Sequence, residues 1–184
     1  MKPADTLRLG IVGGLGALSG ADLLYRIVES TPVRSEGDHR ELIFEQKPMR
    51  EPVTPMEVNY NPTHRKLYVF DTLARLEREG CNAALLPCFI THCFLQEMED
   101  ELDLTLISMT DAIRETIDAL SPARSRIGVL TTPFVRKSGL FEALFGDNVT
   151  VVYPPDELER EVMEAIYGSH GFKSGNRGAE ILSP

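Results

Sequence analysis

Ala83-Ala84-Leu85-Leu86-Pro87-Cys88 is a run of small and apolar residues that ends at a cysteine, and Phe89-Ile90-Thr91-His92 follows at once. A short continuous apolar run reads as a strand covered on both faces, the kind found in parallel sheets. The stretch after it reads as a helix, so Cys88 falls where a strand stops and a helix begins. In an open α/β sheet that edge is where ligands bind. The N–H groups of a helix start draw negative charge, and the thiolate is the reactive form of cysteine. Free cysteine is also among the most buried residue types, so position alone leaves inert packing open.

Working outward, the same alternation repeats. Residues 7–12 form an apolar strand, Gly13-Gly14-Leu15-Gly16 a turn, and residues 21–29 a helix with Leu23, Leu24, Ile27 and Val28 on one face. Strand, glycine turn and helix start together make an anion site. The spacing does not fit GxGxxG, because Ser19 stands where the last glycine belongs, and the P-loop lysine is missing. A small carboxylate suits the turn, and so does a glycine requirement of geometry alone. Residues 42–44 are a second strand. Residues 47–61 carry Pro48, Pro52, Pro55 and Arg50 without helical period, and read as an irregular surface loop or lid. A helix over 63–79 is expected to turn Leu67, Phe70, Leu73, Ala74 and Leu76 inward and to stop at Gly80.

After Cys88 come a strand over 104–109 and a helix over 111–120, broken at Ser121-Pro122. The pattern then restarts: a strand at 126–130, a turn at Thr131-Thr132-Pro133, a helix over 138–145, a strand at 149–153, a helix over 157–167 and a glycine-rich loop over 168–175. Alternating strand and helix predicts parallel α/β architecture. The restart predicts two similar domains, 1–120 and 121–184.

Composition narrows the function classes. The 184 residues are 42% hydrophobic and 26% charged, as in ordinary globular proteins. A net charge of −9 argues against nucleic acid or an acidic membrane surface as partner. No apolar run approaches the roughly 20 residues that span a bilayer, and the N-terminus lacks the marks of a signal peptide. Cys81, Cys88 and Cys93 are an odd count without a disulfide framework or a paired zinc motif, which points to a reducing cytoplasm.

Taken together, Gly10-Ile11-Val12-Gly13-Gly14-Leu15-Gly16, Ala21-Asp22-Leu23, Leu86-Pro87-Cys88 with His92, Ile107-Ser108-Met109, Gly128-Val129-Leu130 with Thr132, Ser138-Gly139, and Ile166-Tyr167 with Gly171, Lys173 and Gly175 resemble the aspartate/glutamate racemase family, most closely its aspartate racemase branch. The resemblance implies two α/β domains with the site in the cleft between them, a homodimer, no cofactor or metal, and a small amino acid or carboxylic acid as substrate. It implies two opposed cysteines, one removing the α-proton and the other returning a proton to the opposite face. Cys88 takes the first cysteine's place. Substrate contacts are then expected from Gly14, Leu15, Gly16, Arg50, Phe89, Ile90, Thr91, His92, Thr132 and Lys173.

The chain departs from the family at several of these places. Where the family has Cys-Asn-Thr-Ala-His, Phe89 and Ile90 put apolar surface in place of two polar donors. Pro133, Phe134 and Val135 interrupt a threonine-rich turn. Pro52 falls near the family's arginine for the substrate side chain, with Arg50 two residues earlier. The family's second cysteine lies in a Gly-Cys-Thr-Glu segment, and this sequence reaches Ile181-Leu182-Ser183-Pro184 before it, so the second domain is expected to be incomplete. Three readings follow: a racemase whose chain is truncated, a one-cysteine decarboxylase or isomerase of a small carboxylic acid, and a non-catalytic binding or interaction protein.

Overall fold

The computed structural model of the chain describes residues 7–57, 59–120, 125–145 and 149–176. The chain divides into two compact units, one of Met1–Arg50 with Thr63–Met109 and one of Glu51–Pro62 with Thr110–Pro184. The expected boundary lies at 120/121, whereas the units part before Thr110 and most of the proline-rich segment belongs to the second unit. A helix stop such as Ser121-Pro122, which lies outside the described residues, marks where a helix ends and not which unit it belongs to.

In the first unit, β1 (Arg8–Val12), β2 (Glu41–Glu45), β3 (Ala83–Leu85) and β4 (Thr105–Ile107) form a parallel sheet in the order β2-β1-β3-β4. The chain moves outward from β1 to β2, then returns to the other side of β1 for β3. The order therefore reverses between β1 and β3, and their carboxyl ends carry Gly13 and the Pro87-Cys88 turn. The core holds Leu9, Ile11, Val12, Ala83, Ala84, Leu86 and Leu106 from the strands and their ends, and Val69, Leu73 and Leu76 from α2 (Thr63–Arg78).

Two helix faces differ from expectation. In α1 (Ala17–Ser30), Gly20 is the buried residue, Leu23, Leu24 and Ile27 are partly covered, and Val28 is exposed. In α2, Arg65, Val69, Thr72, Leu73 and Leu76 face inward, while Leu67 is 63% exposed and Phe70 37%. Leu73 and Leu76 are buried as expected, but the inward face runs on through Arg65, Val69 and Thr72, two of them polar, so an apolar count shifts the stripe toward Leu67 and Phe70.

Three short helices follow β3 and β4: α3 (Phe89–His92), α4 (Leu95–Glu99) and α5 (Met109–Leu120), the last passing into the second unit after its first residue. In the second unit β5 (Ser125–Gly128) pairs in parallel with β6 (Val149–Val152). The helix expected over 138–145 is instead two helices, α6 (Pro133–Ser138) and α7 (Leu140–Phe145). Pro133 suits the first helical position, Thr132 caps it, and Gly139 ends it in the left-handed conformation, φ 69°. Helix α8 (Glu159–Tyr167) and a 3₁₀ turn at Phe172–Ser174 close the described part. Val129, Val135, Phe141 and Met163 are among its buried apolar side chains. Among the described residues no helix is long and apolar enough to cross a membrane.

Candidate active site

In open α/β sheets ligands bind where the strand order reverses, beyond the carboxyl ends of the strands. At that place in the first unit Cys88 occupies the N-cap of α3 in extended conformation and is partly exposed. Its Sγ accepts a hydrogen bond from Nη1 of Arg65, 3.2 Å away. Arg65 lies in the first turn of α2 and is only 2% exposed. A permanent cation is thus fixed against the sulfur.

The residues after Cys88 hold its backbone. Thr91 Oγ1 donates to the Cys88 carbonyl at 2.5 Å, and His92 Nδ1 lies 2.9 Å from the same oxygen. The Met109 N–H donates to His92 Nε2 at 3.0 Å. Nε2 is therefore the acceptor, and the ring proton sits on Nδ1, directed at Cys88 O. Thr91 and His92 are both buried, so they position the cysteine from behind. Ile90 is 3% exposed and belongs to the core, leaving Phe89 as the apolar residue of this segment with accessible surface.

The glycine turn at the end of β1 is closed from within its own unit. Gly13 N–H donates to Glu45 O at 2.8 Å and Gly14 N–H to Gln46 Oε1 at 2.9 Å. Tyr68 donates its hydroxyl to Gly13 O at 2.9 Å, and burial raises the phenol's pKa. Gly14 has φ 78°, and a Cβ there would run into Lys47 O and the Tyr68 hydroxyl. Glycine is thus required for geometry, and of the groups expected to meet a carboxylate the Gly14 N–H is spent on Gln46, beside the Gly13 N–H on Glu45. Leu15 is buried, and Gly16 is the N-cap of α1.

The other expected contacts lie elsewhere in the chain. Arg50 is exposed at the end of a first-unit segment. Thr132 and Lys173 belong to the second unit: the Thr132 hydroxyl accepts the Val135 N–H at 3.3 Å, and Lys173 Nζ lies 5.1 Å from the Tyr167 ring centre. Cys81 is buried, which raises the pKa of its thiol. Cys93 Sγ approaches Phe89 O at 3.6 Å. Sequence reading missed Arg65. The available signal was a charged residue at helical spacing from Val69, Thr72, Leu73 and Leu76, on the side that packs inward.

The first unit is thus a parallel α/β fold with a thiol and a guanidinium in contact at the end of its sheet where the strand order reverses. A sequence model of the Asp/Glu/Hydantoin racemase family matches residues 12–181, and the chain belongs to that family. Its fold is similar to that of an aspartate racemase homologue from Pyrococcus horikoshii, with 23% identity, 92% of this chain and 73% of that chain covered, and TM-score 0.62. An aspartate racemase from Picrophilus torridus matches with 16% identity, 89% and 76% covered, and TM-score 0.66. A glutamate racemase from Campylobacter jejuni matches with 17% identity, 86% and 66% covered, and TM-score 0.56. At such identities the likeness is one of fold.

Proposed function

We propose that this chain is a cofactor-independent amino-acid racemase in which Cys88 is a proton-transferring base. The thiolate of Cys88 takes the α-proton of the substrate. The C–H bond breaks, an S–H bond forms, and the electron pair stays on the α-carbon and spreads into the adjoining carboxylate. Inversion is completed when a second acid gives its proton to the α-carbon on the opposite face and is itself left deprotonated. Neither Cys81 nor Cys93 suits that part, since Cys81 is buried and Cys93 follows Cys88 closely in the same stretch of chain, so the proposal requires an acid other than these two thiols.

The observation that carries the reading is partly exposed Cys88 at the switch point, its sulfur in hydrogen-bond contact with a buried arginine, in a chain of the racemase family. Phe89 beside it favours a small amino acid with one carboxylate and a neutral or apolar side chain, because a buried carboxylate facing an apolar wall lacks a partner. A cytoplasmic homodimer completes the proposal, and the three free thiols fit a reducing compartment.

The test is exchange of the substrate α-proton in deuterated water, followed by proton NMR with both enantiomers of a panel of small amino acids. Exchange needs only one base. Cys88→Ser abolishes it on this reading, since a serine hydroxyl is far too weak a base near neutral pH. Exchange at the wild-type rate in that variant overturns the role of Cys88.

A further inference from the structure

We propose that Arg65 is the positioning residue of Cys88, fixing its sulfur and supplying the positive charge that its thiolate form requires. This rests on Cys88 as the proton-transferring base. Two observations carry it. The Arg65 side chain is almost wholly inside the protein, at 2% exposure, and its Nη1 donates to Cys88 Sγ at 3.2 Å. Confining a guanidinium to the interior is costly, and a hydrogen bond to a charged partner is among the ways to offset that cost. The geometry also joins separate elements: α2 delivers the cation, and the turn between β3 and α3 delivers the sulfur. Thr91 and His92 fix the backbone of Cys88 from the other side through its carbonyl. The sulfur is thereby held at both ends, by its own main chain and by the arginine.

When Cys88 takes a proton, its charge falls from negative to neutral while the cation stays. Arg65 itself neither gains nor loses a proton, because guanidinium remains charged in proteins. Any effect on proton transfer is exerted through Cys88.

The experiment is alkylation of the full chain near neutral pH, read on the Cys88 and Cys93 peptides by mass spectrometry. The anionic reagent iodoacetate is compared with the neutral reagent iodoacetamide. In the wild-type chain a fixed cation beside Cys88 raises the iodoacetate-to-iodoacetamide rate ratio above that of Cys93, which serves as internal control. Arg65→Met slows iodoacetamide alkylation of Cys88 about tenfold, the size of one hydrogen bond to a charged group. Arg65→Lys restores most of that loss, because it returns the charge. Equal rate ratios at Cys88 and Cys93 overturn the proposal, and this measurement needs no variant to fold. A Lys variant as slow as a folded Met variant also overturns it, since the effect is then packing and not charge. Alkylation reads Arg65 whether or not the chain exchanges an α-proton, so failure here and failure of the racemase reading are separate results.

Discussion

At the scale of single residues, the segment from Cys88 to His92 splits its work between surface and support. Cys88 and Phe89 offer accessible surface, while Ile90, Thr91 and His92 are buried. On the proposed function, Phe89 is the candidate specificity determinant at this edge, with exposed Arg50 as the competing one. Calorimetric titration with aspartate, glutamate and apolar amino acids of similar size separates the two. We expect the apolar ligands to bind more tightly, and Phe89→Asn to move the preference toward the acids. A clear preference of the wild-type chain for aspartate, lost in Arg50→Ala, gives specificity to the arginine instead. Thr132 makes a different prediction. Its hydroxyl caps α6 through the Val135 N–H. Thr132→Ala is expected to cost about 1 kcal/mol in a denaturant melt, with Thr132→Ser retaining most of the stability.

At the scale of elements, the turn after β1 and the tie between α2 and β2 are the sensitive joints. Gly14 and Gly139 both have positive φ, but a Cβ at Gly14 meets backbone and a phenol, whereas Gly139 has open space around it. Gly139→Ala should cost only the conformational penalty of roughly 1–2 kcal/mol. Gly14→Ala should cost more than that, and the order of the two melting temperatures checks it. Arg75 of α2 bonds Glu45 of β2 at 2.6 Å and also pairs with Asp71. Burial raises the Glu45 pKa, yet its bonds with Arg75 and Lys47 outweigh burial, and the net shift is downward. A carboxyl whose folded pKa is depressed adds stability above its unfolded pKa and loses it as pH falls through the folded value. Wild type should therefore exceed Glu45→Gln in melting temperature near neutral pH, with the gap closing as the carboxylate titrates in acid. A gap independent of pH refutes the ionic origin.

At the scale of the whole molecule, the two units differ in how much apolar surface they bury. The first has a four-stranded sheet and a core from every strand and α2 except β2, whose residues are partly covered or exposed. The second shows a two-stranded sheet with Val129, Val135, Phe141 and Met163 buried. Segments with few buried apolar contacts open at lower free energy. Hydrogen exchange followed by mass spectrometry should thus show faster exchange in β5 and β6 than in β1 and β3. Equal protection of both sheets shows that the second unit is stabilised by more than its own described core.

The sequence by itself determined the alternation of strand and helix, the parallel sheet, the family, and the place of Cys88 at a strand end. These are local signals: apolar runs of strand length, glycine and proline at turns, and motifs a few residues long. What only the tertiary structure decided is which groups meet. The spacing between Arg65 and Cys88 carries no periodicity, because separate elements bring them together. Part of the inward face of α2 was legible, in Leu73 and Leu76, and the rest was not, because Arg65 and Thr72 occupy positions that an apolar pattern assigns to solvent. The glycine turn could be read as an anion cradle or as geometry alone because its N–H groups are visible in sequence only as unpaired donors. Folding brings Glu45 and Gln46 from the neighbouring strand end to the N–H groups of Gly13 and Gly14. Strand pairing sets the neighbours of a turn, and that pairing is a property of the folded chain.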